Sequence, residues 1–186
     1  MTSPQTYCQA VADLPDEHPH RQYHDYEYGF PLESDNELFG RLLLEINQAG
    51  LSWLTILRKK ENFRCAYAGF GIEAVAAFDE GDRERLLSNA GIIRNKLKVN
   101  AAIYNAQQIL KLQATYGSFK AWLNAHHPQE KPDWVKLFKK TFKFTGGEIT
   151  GEFLMSTGYL PGAHEESCPI FKEIQAQRAN DGKAKE

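Results

Sequence analysis

Cysteine is scarce in this sequence: Cys8, Cys65 and Cys168 are three residues among 186. So sparse and odd a set argues against the disulfide framework that staples small secreted domains, and leaves metal binding open. Long apolar runs are missing as well. None approaches the roughly 20 residues that a bilayer-spanning helix needs, and the N-terminus carries no secretory signal. The expectation is a soluble, cytoplasmic protein. Internal repeats and strand-like alternation are also lacking, which points to an all-α chain. Nor does charge of one sign dominate, since 22 basic residues stand against 24 acidic ones for a formal net charge of −2. That balance does not exclude nucleic acid, because phosphate contacts act locally on one basic face.

What is present is helical periodicity. Residues 1–22, rich in Pro and His, lack an apolar stripe and read as a frayed tail. Ser34 or Asp35 can cap a helix to about Gln48 with Leu38 and Leu42 on one face. Ser52 caps a second helix that turns Trp53, Ile56 and Leu57 inward, and Cys65 falls in the core of this region. Helices are expected near 72–78 and 82–89. A long one follows over 96–114, with Val99, Ile103, Ala106 and Leu110 as its stripe. Ser118 and Asp133 can cap two more, and Gly146-Gly147 precedes a last helix that Gly158 ends. The expected organisation is one compact domain over 1–171 with a polar tail over 172–186.

Three constellations carry chemistry. His164 and Cys168 form an H-x3-C pair, a spacing that one helical turn or a tight loop closes on a metal. His24 and Cys8 are the obvious partners from the other end of the chain. Two thiolates and two imidazoles make the closed set of a structural zinc site, whose binding energy would be folding energy. His18 and His20 compete with His24 on spacing, and a buried free cysteine beside a solvated histidine is the plainer alternative. The second constellation is the corner 89–95, where Gly91 permits a left-handed turn and Ile92 can plug the space between two helices. Free N–H groups at the start of the next helix would suit a DNA phosphate, with Arg94, Lys96 and Lys98 adding positive charge; an ordinary helical corner is the alternative. Lys139, Lys140 and Lys143 form a further basic cluster that reads as a solvated face. Third, Glu45 lies at i+7 from Leu38 and i+3 from Leu42, on an apolar stripe. A carboxylate there must reach water, be paired, or bind something it exists to recognise. Trp53 stands across the 48–51 corner, and an indole beside a carboxylate suits a planar cationic ligand.

At these residues a family resemblance emerges. Tyr23-His24-Asp25-Tyr26-Glu27-Tyr28-Gly29, Leu44-Glu45 and Gln48-Ala49-Gly50-Leu51-Ser52-Trp53 closely resemble motifs of the 3-methyladenine DNA glycosylase I family. Ala90-Gly91-Ile92-Ile93-Arg94 and the His164/Cys168 pair follow in the right order, so the likeness runs from about Arg21 to Cys168. The resemblance implies an all-α helix-hairpin-helix glycosylase fold, with the hairpin unit at about 82–114. It also implies zinc tethering the terminal segments through Cys8, His24, His164 and Cys168. Glu45 would hydrogen-bond the extruded base, Trp53 would stack on it and Tyr23 would close the pocket. Tyr28 and His20 stand where the family usually has a tryptophan and a tyrosine. Gly91, Ile92, Arg94 and Lys96 would meet DNA. Gly146-Gly147-Glu148 departs from the family pattern by adding a carboxylate.

The implied activity is base-excision repair: hydrolysis of the N-glycosidic bond of 3-methyladenine in double-stranded alkylated DNA, releasing the free base. Segment 112–123 contains no Asp or Glu, and the first acid beyond it is Glu130. That suits a leaving group already weakened by its positive charge. No lysine is placed as a nucleophile, so strand cleavage is not expected, and the protein is read as a monomer. The alternatives are a glycosylase of altered lesion range, such as 3-methylguanine, and a zinc-stabilised DNA-binding module without catalysis.

Overall fold

The computed structural model describes residues 6–183, with side chains through Arg178. Its described residues form helices and connecting turns without a strand, as the periodicity requires. They fall into two compact units: Leu32–Leu154, and a second that gathers the chain up to Pro31 with the chain from Met155 onward.

The larger unit is built on α3 (Asp35–Gln48), in which every residue from Leu38 to Asn47 is buried. A helix buried on all faces is a central element, yet this one carries Arg41, Glu45 and Asn47 into the interior. Gly40 permits that density, because a Cβ there would lie 2.5 Å from the Phe70 ring. Ser34 occupies the N-cap without a side-chain bond. Asp35 turns away to accept from the N–H groups of Phe119 (2.7 Å) and Lys120 (2.9 Å) and from Gln113 Nε2 (2.7 Å). The expected cap of one helix thus holds the start of another.

Ser52 caps α4 (Trp53–Ala66) through Thr55 N–H. Ile56 and Phe63 are buried, but Cys65 faces solvent, contrary to its core assignment. The weak apolar stripe of α4 placed it on the wrong face. A 3-10 turn (Ala68–Phe70), α5 (Ile72–Ala76) and α6 (Glu80–Ser88) lead to α7 (Lys96–Tyr116). Val99, Ile103 and Ala106 are buried as expected, while Leu110 is half-buried. Ser118 caps α8 (Phe119–His126). In α9 (Lys131–Thr141) the N-cap is Glu130, with Pro in the first turn, and Asp133 lies inside the helix. Phe119, Trp122, Phe138 and Phe153 pack at ring separations of 5.6–6.3 Å. Each such buried ring contributes roughly 1.5–3 kcal/mol. α10 spans Gly147–Ser156.

The terminal segments are more ordered than their composition suggests. Residues 7–11 form α1 (Tyr7–Val11), closed by a Thr6/Gln9 capping box, and α2 covers Pro19–Tyr26. Arg21 Nη1 donates to Ala12 O (3.1 Å) and so ties α2 to the end of α1. α11 (Pro169–Lys183) continues through most of the expected polar tail, and it buries Ile174.

Candidate active site and metal centre

Four side chains of the terminal unit converge on one point. Cys8 comes from α1, His24 from α2, and His164 and Cys168 from the loop leading into α11. Their ligating atoms lie within 4.8 Å of one another, a group that could hold a metal ion. His24 Nε2 lies 3.1 Å from His164 Nδ1 and 3.3 Å from Cys8 Sγ. His164 Nδ1 lies 3.7 Å from each sulfur, and Cys168 Sγ lies 3.9 Å from His24 Nε2. The H-x3-C spacing is closed by a tight turn, with Cys168 N–H donating to Glu165 O at 2.9 Å.

The other nitrogen of each imidazole is committed elsewhere. His24 Nδ1 lies 2.6 Å from Asp25 Oδ1, and His164 Nε2 lies 2.7 Å from the carbonyl of Tyr28. An N–H donated to each of these oxygens leaves a lone pair on the nitrogen that faces the cluster. Burial pushes the Asp25 carboxyl up, but hydrogen bonds from His24 and from Arg21 Nε (2.6 Å) outweigh it and hold the group below its usual range. Burial lowers the His164 pKa and raises that of the Cys8 thiol. The histidine is therefore kept neutral, and the thiol needs a neighbouring cation to ionise. The competing histidines have other work. His18 caps α2 by accepting from His20 N–H, and His20 Nδ1 lies 2.9 Å from the Tyr7 hydroxyl.

Tyr7, which the sequence left in a frayed tail, is the centre of an aromatic cluster. Its ring lies 5.3 Å from Tyr28, 5.6 Å from His20 and 6.4 Å from Tyr23, and Tyr23 lies 5.6 Å from Tyr28. Burial, followed by the charge of His18, lowers the His20 pKa. Gly29, which ends the Glu27-Tyr28-Gly29 motif, has φ +83°, and a Cβ on it would meet Ala163 Cβ at 2.9 Å. Only glycine fits there without displacing the loop that carries His164.

In the larger unit Glu45 is 5% exposed. Burial pushes its pKa up to about 8; the Arg41 charge opposes that shift and Glu152 adds to it. Trp53 is half-buried at the start of α4, across the corner from Glu45. The corner is fixed by Gly50 at φ +81° and by Leu51 N–H donating to Gln48 O at 2.7 Å. It is also held by Lys98, whose Nζ donates to Asn47 O (2.9 Å) and Ala49 O (2.7 Å). By sequence Lys98 belongs with the cations of the 89–95 corner. It is instead buried, with a lowered pKa, and clamps the C-terminal carbonyls of α3. Glu148 is 94% exposed and lies 3.8 Å from Lys131 Nζ.

Between α6 and α7 the corner has a geometry of its own. Ile92 is buried. Gly91 does not adopt a left-handed conformation; what it requires is space, since a Cβ would lie 3.0 Å from Asn89 Oδ1 and 3.3 Å from Asn62. Its N–H donates to Asn89 Oδ1 at 2.8 Å, and Lys59 Nζ donates to Gly91 O at 3.2 Å. Two N–H groups expected to be free at the start of α7, those of Leu97 and Lys98, are taken by the Asn95 side chain. Arg94 and Lys96 are exposed.

Comparison with known proteins shows the family of the chain. The methyladenine glycosylase family model matches residues 14–135. DNA-3-methyladenine glycosylase 1 of Escherichia coli is 36% identical over 168 residues, which span 80% of this chain and 89% of that protein. The DNA-3-methyladenine glycosylase of Haemophilus influenzae is 31% identical over 166 residues, 79% of this chain and 89% of its own. The Staphylococcus aureus 3-methyladenine DNA glycosylase I solved for its recognition of 3-methyladenine superposes with a TM-score of 0.78. That match has 31% identity and spans 90% of this chain and 97% of the other. The chain is a DNA glycosylase, and within that class it belongs to the methyladenine glycosylase family.

Proposed function

We propose that this protein excises 3-methyladenine from alkylated duplex DNA by hydrolysing the N-glycosidic bond, and that it leaves the strand intact. The observation that carries this reading is Glu45, a carboxylate buried in the central helix with Trp53 across the adjoining corner. The target nucleotide is flipped out of the stack, which costs least for a damaged base. Glu45 accepts hydrogen bonds from the base, and Trp53 provides a stacking face. The family resemblance assigns Tyr23, Tyr28 and His20 to base contact as well. With its pKa at about 8, Glu45 is largely protonated at neutral pH when no cation is near. A cationic base favours its ionised form, so affinity is tied to the charge that distinguishes the lesion. That same charge weakens the glycosidic bond, and the base departs neutral. The amine of the buried Lys98 is engaged by two carbonyls, which supports a mechanism without a lysine nucleophile.

The 89–95 corner serves as the hairpin of a helix-hairpin-helix unit. Gly91 and Ile92 form the tip that meets DNA, with their N–H groups held internally by Asn89, and Arg94 and Lys96 add charge. Cys8, His24, His164 and Cys168 hold a structural zinc ion. Tetrahedral zinc with Zn–S near 2.3 Å and Zn–N near 2.0–2.1 Å separates its ligands by about 3.3–3.8 Å; the five separations that involve a histidine, 3.1–3.9 Å, lie close to that set, and all the ligand atoms lie within 4.8 Å of one another. Bound zinc supplies a cross-link between the chain ends and no step of the reaction. The protein works as a cytoplasmic monomer. The test is chromatography of bases released from methylated duplex DNA, with the strand followed on a denaturing gel. Release of 3-methyladenine with the strand uncut is expected. Folded, metal-replete protein that releases no base would leave only the binding-module reading.

A further inference from the structure

Within the Leu32–Leu154 unit, α7 carries polar residues beyond Lys96, the last of the hairpin's cations, that the glycosylase reading has not used. Lys96, Asn100, Tyr104 and Gln107 lie along one face of the helix and line a groove of about 440 Å³, joined by Arg83 from α6 and Lys143 from the segment after α9. Lys143 had been grouped with Lys139 and Lys140 as a solvated face, but only Lys143 of the three lines this groove.

The cations are held in place. Arg83 Nε donates to Asn100 Oδ1 at 3.1 Å. The backbone of Lys143 is gripped at both polar atoms by Asn105, which accepts from its N–H at 2.8 Å and donates to its carbonyl at 3.1 Å. Asn105 is 1% exposed, so a buried amide anchors the lysine to α7. The Lys143 ammonium lies 4.3 Å over the Tyr104 ring, a cation–π contact. One acid, Glu80, lines the groove, and it pairs with Arg83 at 3.4 Å. Three cations against one acid leave the groove positive.

We propose that this groove is a track for the phosphodiester backbone of duplex DNA, continuing from the hairpin along α7. The proposal rests on the glycosylase reading. At about 1.5 Å of rise per residue, the distance from Lys96 to Tyr104 is about 12 Å. Phosphates of one strand advance about 3.4 Å along the duplex axis, so the groove is long enough to span more than one phosphate. Arg83 and Lys143 make these contacts, and Asn100, Asn105 and Tyr104 position them.

The experiment is the salt dependence of affinity for a duplex containing a stable abasic-site analogue, with wild type, Lys143→Ala, Arg83→Ala and the double variant. Lys111→Ala, an exposed α7 position outside the groove, is the control. Each lost phosphate contact lowers the slope of log K against log salt by about 0.9. The double variant should therefore lose nearly two units of slope, while the control keeps wild-type affinity and slope. If Arg83→Ala disturbs folding through its Asn100 bond, Lys143→Ala decides alone, since its backbone anchor is untouched. Wild-type affinity and slope in Lys143→Ala and the double variant would overturn the groove while leaving base release intact. Wild-type protein that neither binds duplex nor releases base would instead overturn the glycosylase reading beneath it.

Discussion

The two compact units hold together by different means. In the Leu32–Leu154 unit the interior is hydrocarbon: Leu38, Leu42, Ile56, Phe63, Phe119 and Phe138 are among its fully buried residues. In the terminal unit the buried hydrophobic residues among those described are Val11, Tyr23, Tyr28, Cys168 and Ile174. So small an apolar set cannot by itself offset the conformational entropy of ordering two chain ends. Polar devices take over: the Thr6/Gln9 capping box, Arg21 on the end of α1, and the Cys8–His24–His164–Cys168 cluster. One unit can admit a costly buried carboxylate because its core has stability to spare, whereas the other depends on a few specific bonds.

That contrast is easiest to break at the Cys8–His24–His164–Cys168 cluster, the proposed zinc site. Structural zinc in small domains contributes on the order of 10–16 kcal/mol of apparent binding energy. Cys168→Ser, or prolonged chelation, should therefore unfold the terminal unit. By hydrogen exchange, α1, α2 and α11 are expected to lose protection while α3 and α7 keep theirs. Uniform loss throughout would show that both units share one source of stability.

A smaller effect is expected at Glu45. Its folded-state pKa of about 8 lies above its ordinary value of 4.5. The folded protein thus holds an extra proton between those pH values, and stability falls as pH rises through them. Glu45→Gln removes the ionisation and should raise the melting temperature clearly at pH 9 and little at pH 5. An equal change at both pH values would mean that the carboxyl is not desolvated. Smaller again is the effect of Asp25→Asn. Losing the carboxylate that orients His24 should weaken zinc binding by about 10–100-fold in a chelator competition, with the fold of the loaded protein unchanged. Unaltered affinity would reduce Asp25 to a partner of Arg21.

Much of the larger unit was legible in the sequence because local signals mark its helices: Ser52 and Ser118 cap α4 and α8, and Val99, Ile103 and Ala106 form the buried stripe of α7. The Cys8–His24–His164–Cys168 cluster was legible because H-x3-C is a short-range signal, and the family resemblance supplied the two partners from the other end of the chain. α1 and α2 were not: they are five and eight residues long, and they depend on contacts with distant parts of the chain that no local pattern encodes. Tyr7 was missed with them. Lys98 could not be told from a solvated lysine until the fold placed the end of α3 beside it. The left-handed turn expected at Gly91 is absent, and the crowding by Asn62 and Asn89 found there leaves no mark on the local sequence. Cys65 was lost to the weak amphipathicity of α4.

The central claim is that a buried carboxylate selects the cationic base. Its most direct test is the single-turnover rate of 3-methyladenine release from methylated duplex DNA, compared between wild type and Glu45→Gln. A hydrogen bond to a charged group contributes about 1.5–3 kcal/mol, so the variant should release the base roughly 10–100-fold more slowly while binding DNA normally. Release at the wild-type rate would contradict the account.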